Sequence, residues 1–236
     1  DFRGFFEDAN AKLRREHHYR VFRELRRSPG RFPRAEWHAP DGTWRDVTVW
    51  CSNDYLGMSQ HPAVLDTARA ALARYGAGAG GTRNISGTTD LLVALERELA
   101  DWHAKDAALL FSSGYVANDT TLATLARALP GGVVFSDAAN HASMIQGIRA
   151  SRQRCVVFRH NDAAHLDGLL AAHDPAAPKL VAFESLYSMD GDIAPLADLL
   201  TVAKRHGALT FVDETHAVGV HGPRGGGLLE ARGLLD

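Results

Sequence analysis

Asp213-Glu-Thr-His216 follows directly on an apolar run, Ala208-Leu-Thr-Phe-Val212. Such a run reads as a buried strand, which sets an acid and an imidazole three residues apart at its carboxyl end. A carboxylate there can keep a pyridine nitrogen protonated while the imidazole reaches a neighbouring ring oxygen. The pair would turn a pyridine-type cofactor such as pyridoxal phosphate (PLP) into an electron sink, with a lysine as the usual third partner, carrying the cofactor as a Schiff base. The sequence holds four lysines: Lys12, Lys105 and Lys204 fall on expected helices, and Lys179 precedes a strand after Pro178.

Three more polar clusters follow apolar runs in the same way. Phe111 leads into Ser112-Ser-Gly-Tyr115 and then a helix. Free backbone N–H groups and the positive end of the helix dipole suit a phosphate there, although a tight strand-to-helix turn has the same composition. Phe135 leads into Ser136-Asp-Ala-Ala-Asn-His-Ala-Ser143, where His141 fits either a ring stacked on an aromatic cofactor or a cap of the next helix. Phe183 leads into Glu184-Ser-Leu-Tyr-Ser-Met-Asp-Gly-Asp192, which carries Ser188; Asp190 and Asp192 there read as an ordinary Asp-Gly turn. In open α/β sheets ligands bind beyond the carboxyl ends of the strands, so the four clusters converge on one place. A buried Asp213 calls for a cation, and a protonated pyridine is one.

The elements that would position these residues alternate regularly. Apolar spacing predicts a helix over Phe2–Arg27, a hairpin over Trp37–Trp50 around Ala39-Pro-Asp-Gly42, and a helix from Pro62 to Tyr75. Beyond the glycine-rich Gly76–Gly87, helices are predicted near 91–103, 116–129, 142–150, 163–173 and 196–206. Strands are predicted at 107–111, 132–135, 155–158, 180–184 and 209–212. Short apolar strands alternating with helices imply βαβ crossovers and a mainly parallel sheet.

Composition narrows the function classes. A net charge of -2 gives no general attraction to nucleic acid or anionic membranes, and the arginines of the first 35 residues are interleaved with acids as on a solvated helix face. No apolar run approaches a membrane span. Cys51 and Cys155 are too few and too isolated for a disulfide framework or a metal site, which points to a reducing compartment and to no metal.

The motifs Asn53-Asp-Tyr-Leu-Gly57, Phe111-Ser-Ser-Gly-Tyr115, Asn140-His-Ala-Ser143, His160-Asn-Asp162, Ser188-Met-Asp-Gly-Asp192 and Asp213-x-x-His216 resemble, in order and over essentially the whole chain, the α-oxoamine synthases. These are fold-type I PLP enzymes that join an amino acid to an acyl-CoA with loss of carbon dioxide. The resemblance implies a three-layer α/β large domain on a mainly parallel sheet, with an N-terminal helix and β-hairpin before it. Residues 1–70 would form that N-terminal segment, part of the small domain. Residues 71–236 would form the PLP-binding domain, incomplete at its C-terminal end. Tyr19-Arg-Val-Phe22, Thr48–Met58 and Gly76–Thr88 are most similar to the members that condense glycine with succinyl-CoA to give 5-aminolevulinate, CoA and carbon dioxide.

Carried over to this sequence, the resemblance assigns Asp213 to the pyridinium nitrogen, His216 and Ser188 to the phenolic oxygen, and His141 to the ring face. The backbone of Ser113, Gly114 and Tyr115 would take the phosphate. His141, Asp213 and His216 are the expected catalytic residues, with His141 also assisting acylation and decarboxylation. Arg20, Thr82 and Asn84 would hold the distal carboxylate of succinyl-CoA, and Asn53 would lie near the amino-acid carboxylate. The Schiff-base lysine is expected beyond Asp236. A homodimer with shared active sites is implied, Gly76–Thr88 crossing into the partner's site, in the cytoplasm or, in a eukaryote, the mitochondrial matrix. Leu92 and Thr215 depart from the usual residues. Two other readings stay open: a sister synthase with another amino acid and acyl-CoA, and a non-catalytic shortened homologue serving as a dimerisation or binding module.

Overall fold

The computed structural model describes residues 2–235. The chain forms two compact units, one running to Ala77 and the other beginning at Gly78.

In the first unit, helix α1 (Phe2–Arg15) is followed by a three-stranded antiparallel sheet of β1 (Leu25–Arg26), β2 (Arg34–His38) and β3 (Trp44–Thr48), and by helix α2 (Pro62–Tyr75). The helix expected to reach Arg27 stops at Arg15. His17 takes a left-handed conformation (φ 56°), and the amides of His18 and Tyr19 both turn back to the Leu13 carbonyl, closing the last turn. Leu25 and Arg26 then pair with Trp37 and Glu36, so what reads as the end of a helix is an edge strand. The β2–β3 turn falls where Asp41-Gly42 predicts it: Gly42 has φ 81°, and Asp41 accepts from both the amide and the hydroxyl of Thr43. Pro62 opens α2 at its first turn, where its missing N–H costs nothing.

The second unit is built on a four-stranded parallel sheet. Strands β4 (Val133–Asp137), β5 (Arg154–Phe158), β6 (Lys179–Glu184) and β7 (Leu209–Asp213) lie in the order β5-β4-β6-β7. Successive strand residues point to opposite faces, and the core divides accordingly. Val133, Phe135, Val181 and Phe183 pack with Leu166 and Leu170 of α6 (Ala163–Ala171) and Leu199 and Ala203 of α7 (Leu196–Arg205). Val134, Leu180 and Ala182 pack with Leu122 and Ala126 of α4 (Gly114–Ala128) and Met144 and Ile148 of α5 (Ala142–Ser151). The result is three layers, helices on both faces of a parallel sheet. Helices α3 (Asp90–Trp102) and α8 (Leu228–Ala231) complete the unit. Gly147 brings α5 against α4, since a Cβ there would lie 2.5 Å from the Asp119 carbonyl oxygen.

The strand expected at 107–111 does not form. The backbone groups of Leu110 are instead taken by side chains: its amide donates to Glu96 Oε1 (2.8 Å), and its carbonyl accepts from Arg83 (3.4 Å). The segment joins no ladder. Among the described residues no helix is long and apolar enough to cross a membrane, and no three His, Cys, Asp or Glu side chains are grouped to hold a metal.

Candidate active site

The carboxyl ends of β4, β6 and β7 each finish in a buried acid: Asp137, Glu184 and Asp213. β6 and β7 are in parallel register with Glu184 opposite Asp213, which sets these two carboxylates side by side. Each is held differently.

Asp213 Oδ1 accepts from the Thr215 amide (2.8 Å), and Oδ2 accepts from Asn118 Nδ2 (2.6 Å). Glu184 accepts from the His141 amide (2.6 Å), which ties the start of α5 to β6. Burial, reinforced by the charge on Asp213, pushes the Glu184 carboxyl up to about 7 despite that hydrogen bond.

Asp137 accepts from the amides of Ala139 (2.8 Å) and Asn161 (2.9 Å) and pairs with His160 Nδ1 (2.8 Å). His160 Nε2 meets Asp192 Oδ2 at 2.7 Å, and Asn161 Nδ2 donates to the same oxygen at 2.7 Å. Tyr187 packs edge-on against the His160 ring at 4.4 Å. Desolvation works against protonation of His160, but the two flanking aspartates outweigh it and its pKa is raised. Asp192 is therefore more than a turn residue: it is the far clamp of a histidine that bridges two loops.

His141 is the N-cap of α5, its Nδ1 accepting from the Ser143 amide at 3.2 Å. Capping occupies only Nδ1. Tyr115 stands edge-on to the ring at 6.2 Å, which brings the start of α4 beside the start of α5. At that start Ser113 caps the helix, its Oγ accepting from the Val116 amide (3.2 Å), and a Cβ on Gly114 would meet Thr215 Oγ1 at 3.8 Å. Ser113, Gly114, Tyr115, His141 and Asp213 are thus assembled at one end of the sheet. His216 is half-buried on the loop after β7, and Ser188 is exposed on the loop after β6.

Thr82 and Asn84 are exposed on a tight loop whose centre, the Thr82 carbonyl, accepts from the amides of Ile85, Ser86 and Gly87. Between them Arg83 turns inward and grips Glu96 with both ends of its guanidinium. The Arg83 partnership and the Leu110 amide hold the Glu96 carboxyl down at about 2. Arg20 and Asn53 are exposed in the first unit, apart in the chain from the second-unit residues.

Sequence reasoning gave no role to Asn118, Ser143, Asp137, Glu184 or His160, and took Asp192 for a turn residue. Asn118 left a trace: with Leu122 and Ala126 it occupies the buried face of α4, a polar side chain on an otherwise apolar stripe.

Residues 45–232 match the model of the family described as aminotransferase class I and II. The chain belongs to the class I and II aminotransferase family. Among relatives in this class, 5-aminolevulinate synthase of Rhodobacter capsulatus is 55% identical over 235 residues, covering 100% of this chain and 58% of that protein. The erythroid-specific, mitochondrial 5-aminolevulinate synthase of Opsanus tau is 58% identical over 236 residues, covering 100% of this chain and 40% of that protein. A solved structure of serine palmitoyltransferase from S. paucimobilis, with bound PLP and myriocin, superposes with a TM-score of 0.84 at 36% identity, covering 99% of this chain and 56% of that one. The chain thus spans little more than half the length of the bacterial relatives it matches. These likenesses bear out the three-layer, parallel-sheet α/β fold expected of an aminotransferase-family large domain.

Proposed function

We propose that this chain is the cofactor-binding part of a PLP-dependent 5-aminolevulinate synthase, an acyltransferase that condenses glycine with succinyl-CoA and releases CoA and carbon dioxide. The observation that carries the reading is the setting of Asp213. It is buried at the end of a parallel strand, its hydrogen-bond donors are an amide side chain and a backbone N–H, and a second acid beside it is held toward the protonated form. A site so rich in negative charge is completed by a cation, and the protonated nitrogen of a pyridine ring is one of the right size. The residues therefore fit PLP. Asp213 would hold the nitrogen, His141 would cover the ring face, and His216 and Ser188 would serve the phenolic oxygen. The first amides of α4, at Ser113, Gly114 and Tyr115, would receive the phosphate.

When bound, PLP supplies the electron sink that makes the glycine α-carbon acidic. The protein's own residues account for the rest of the selectivity. Arg20, with Thr82 and Asn84, would pair with the free carboxylate of the succinyl group, which plain acyl chains lack. Asn53 would donate to the glycine carboxylate. The names of the relatives and the tight 81–87 loop, which presents Thr82 and Asn84 on either side of the anchored Arg83, support this assignment. A homodimer, and a cytoplasmic or mitochondrial-matrix location, go with the same reading.

The test is an assay of the protein at the full length of its relatives. It should form 5-aminolevulinate only when glycine, succinyl-CoA and PLP are all present. Turnover of another amino acid and acyl-CoA instead would move the assignment to a sister synthase, and failure to bind PLP at all would reject it.

A further inference from the structure

The buried polar residues on the inner face of α4 and α5 form a chain that none of the roles above uses. Asn118 Nδ2 donates to Asp213 Oδ2 at 2.6 Å and to Ser143 Oγ at 3.0 Å. An amide nitrogen has two protons and accepts nothing, so both are committed, one to each partner. Turning the amide over would press its oxygen against the Asp213 carboxylate, so its direction is set. Ser143 Oγ accepts from Asn118 and is left with its own proton for its other neighbour, His141 Nδ1, at 2.7 Å. The Ser143 amide points to the same nitrogen at 3.2 Å, and a backbone N–H can only donate. Two donors on Nδ1 leave no room for a proton there, and a neutral ring then carries its proton on Nε2. Asn118 is 8% exposed and Ser143 0%, so bulk water does not compete for the bond between them, while the His141 ring at the end of the chain is exposed.

We propose that Asn118 is a positioning residue that, through Ser143, holds His141 as the Nε2–H tautomer while it anchors the Asp213 carboxylate. One amide side chain on α4 thereby fixes two groups that sit 23 residues after it and 95 residues after it in the chain. The consequence for cofactor binding rests on the reading of Asp213 and His141 given under Proposed function; the tautomer is a property of the protein alone.

The experiment uses the full-length protein without cofactor, labelled with 15N-histidine, its His141 ring signals assigned by their loss in His141→Gln. Long-range proton–nitrogen spectra should show Nδ1 unprotonated and Nε2 protonated in the wild type. In Ser143→Ala and in Asn118→Leu a second, Nδ1–H population should appear, because the short hydroxyl contact is gone or free to turn away and only the longer 3.2 Å amide contact is left to hold Nδ1 as an acceptor. Ser143→Thr keeps the hydroxyl and should return the single Nε2–H form. An Nδ1–H ring in the wild type, or a pure Nε2–H ring in both Ser143→Ala and Asn118→Leu, would overturn the proposal. If Asn118→Leu does not fold, Ser143→Ala carries the same comparison with a smaller change. The second arm is PLP affinity, which should fall about tenfold or more in Asn118→Leu because Asp213 loses a bond to its charged oxygen. An unchanged affinity would remove Asn118 from the anchoring of Asp213. A wild type that takes up no PLP would sink the functional reading, while the spectra still decide the tautomer.

Discussion

Replacing Glu184 by glutamine removes one of two acids that lie side by side at the ends of β6 and β7. The glutamine keeps an oxygen where Glu184 Oε1 accepts from the His141 amide, so the change is chiefly one of charge. In the fold the Glu184 carboxyl is raised from 4.5 to about 7 by burial and by the Asp213 charge. A raised acid makes the folded state bind more protons than the unfolded chain between those two values. The Glu184 contribution to stability is therefore fully present below about pH 4.5 and declines as pH climbs to about 7, then levels off. At about 1.4 kcal/mol per unit, the shift corresponds to roughly 3 kcal/mol over that window. Urea unfolding of the cofactor-free, full-length protein at about pH 5 and about pH 8 reads it directly. Wild type and Glu184→Gln should nearly coincide at the lower pH, and the variant should be more stable by about 2–3 kcal/mol at the higher one. Equal pH slopes for the two proteins, or a wild type that is the more stable at about pH 8, would refute the argument.

Other expectations follow from neighbouring parts of the site. Asp213→Asn keeps the shape but removes the charge, so PLP affinity should fall by about two orders of magnitude, measured by titration of cofactor absorbance; the Glu184 carboxyl should move back toward its ordinary range, seen in carboxyl carbon shifts. Gly147→Ala drives a methyl against the Asp119 carbonyl and should cost about 1–3 kcal/mol in urea unfolding, with no deficit if α4 and α5 are free to separate. Glu96 is depressed by Arg83, so its contribution is present above its usual range and is lost as pH falls toward about 2; Glu96→Gln should flatten acid unfolding in that range and hasten proteolysis of the 81–88 loop. Arg20→Ala, Thr82→Ala or Asn84→Ala should lower kcat/KM for succinyl-CoA by about a hundredfold for the arginine and less for the others, with little effect on acyl-CoAs lacking a second carboxylate. Equal losses with every acyl-CoA would count against the specificity assignment.

How much of this could be read from the sequence depended on the range of the forces involved. β4 to β7 and the helices between them follow from local periodicity and from the turn residues that separate them, and each lies within a few residues of its expected place. The segment 107–111 has the apolar content of a strand, but a strand exists only with a partner, and here Arg83 and Glu96 take the backbone groups of Leu110. Tyr19 to Arg27 continues the apolar spacing of α1, yet the left-handed His17 breaks the helix and frees Leu25 for the sheet. The clusters at the ends of β4, β6 and β7 were legible because a parallel sheet gathers such ends. The bonds within the site were not, since Asn118 reaches Asp213 across 95 residues and His160 reaches Asp192 across 32. His141 illustrates both limits: a ring on a cofactor and a helix cap are compatible uses, because the cap takes only Nδ1.

The close approach of α5 to α4 at Gly147 is made by backbone against backbone rather than by interlocking side chains. The distance between Asn118 and Ser143 is thus inherited from the main chain. One added carbon at position 147 would detune the site from about a helical turn away. Residue 147 acts as the shim that sets the spacing of the two helices.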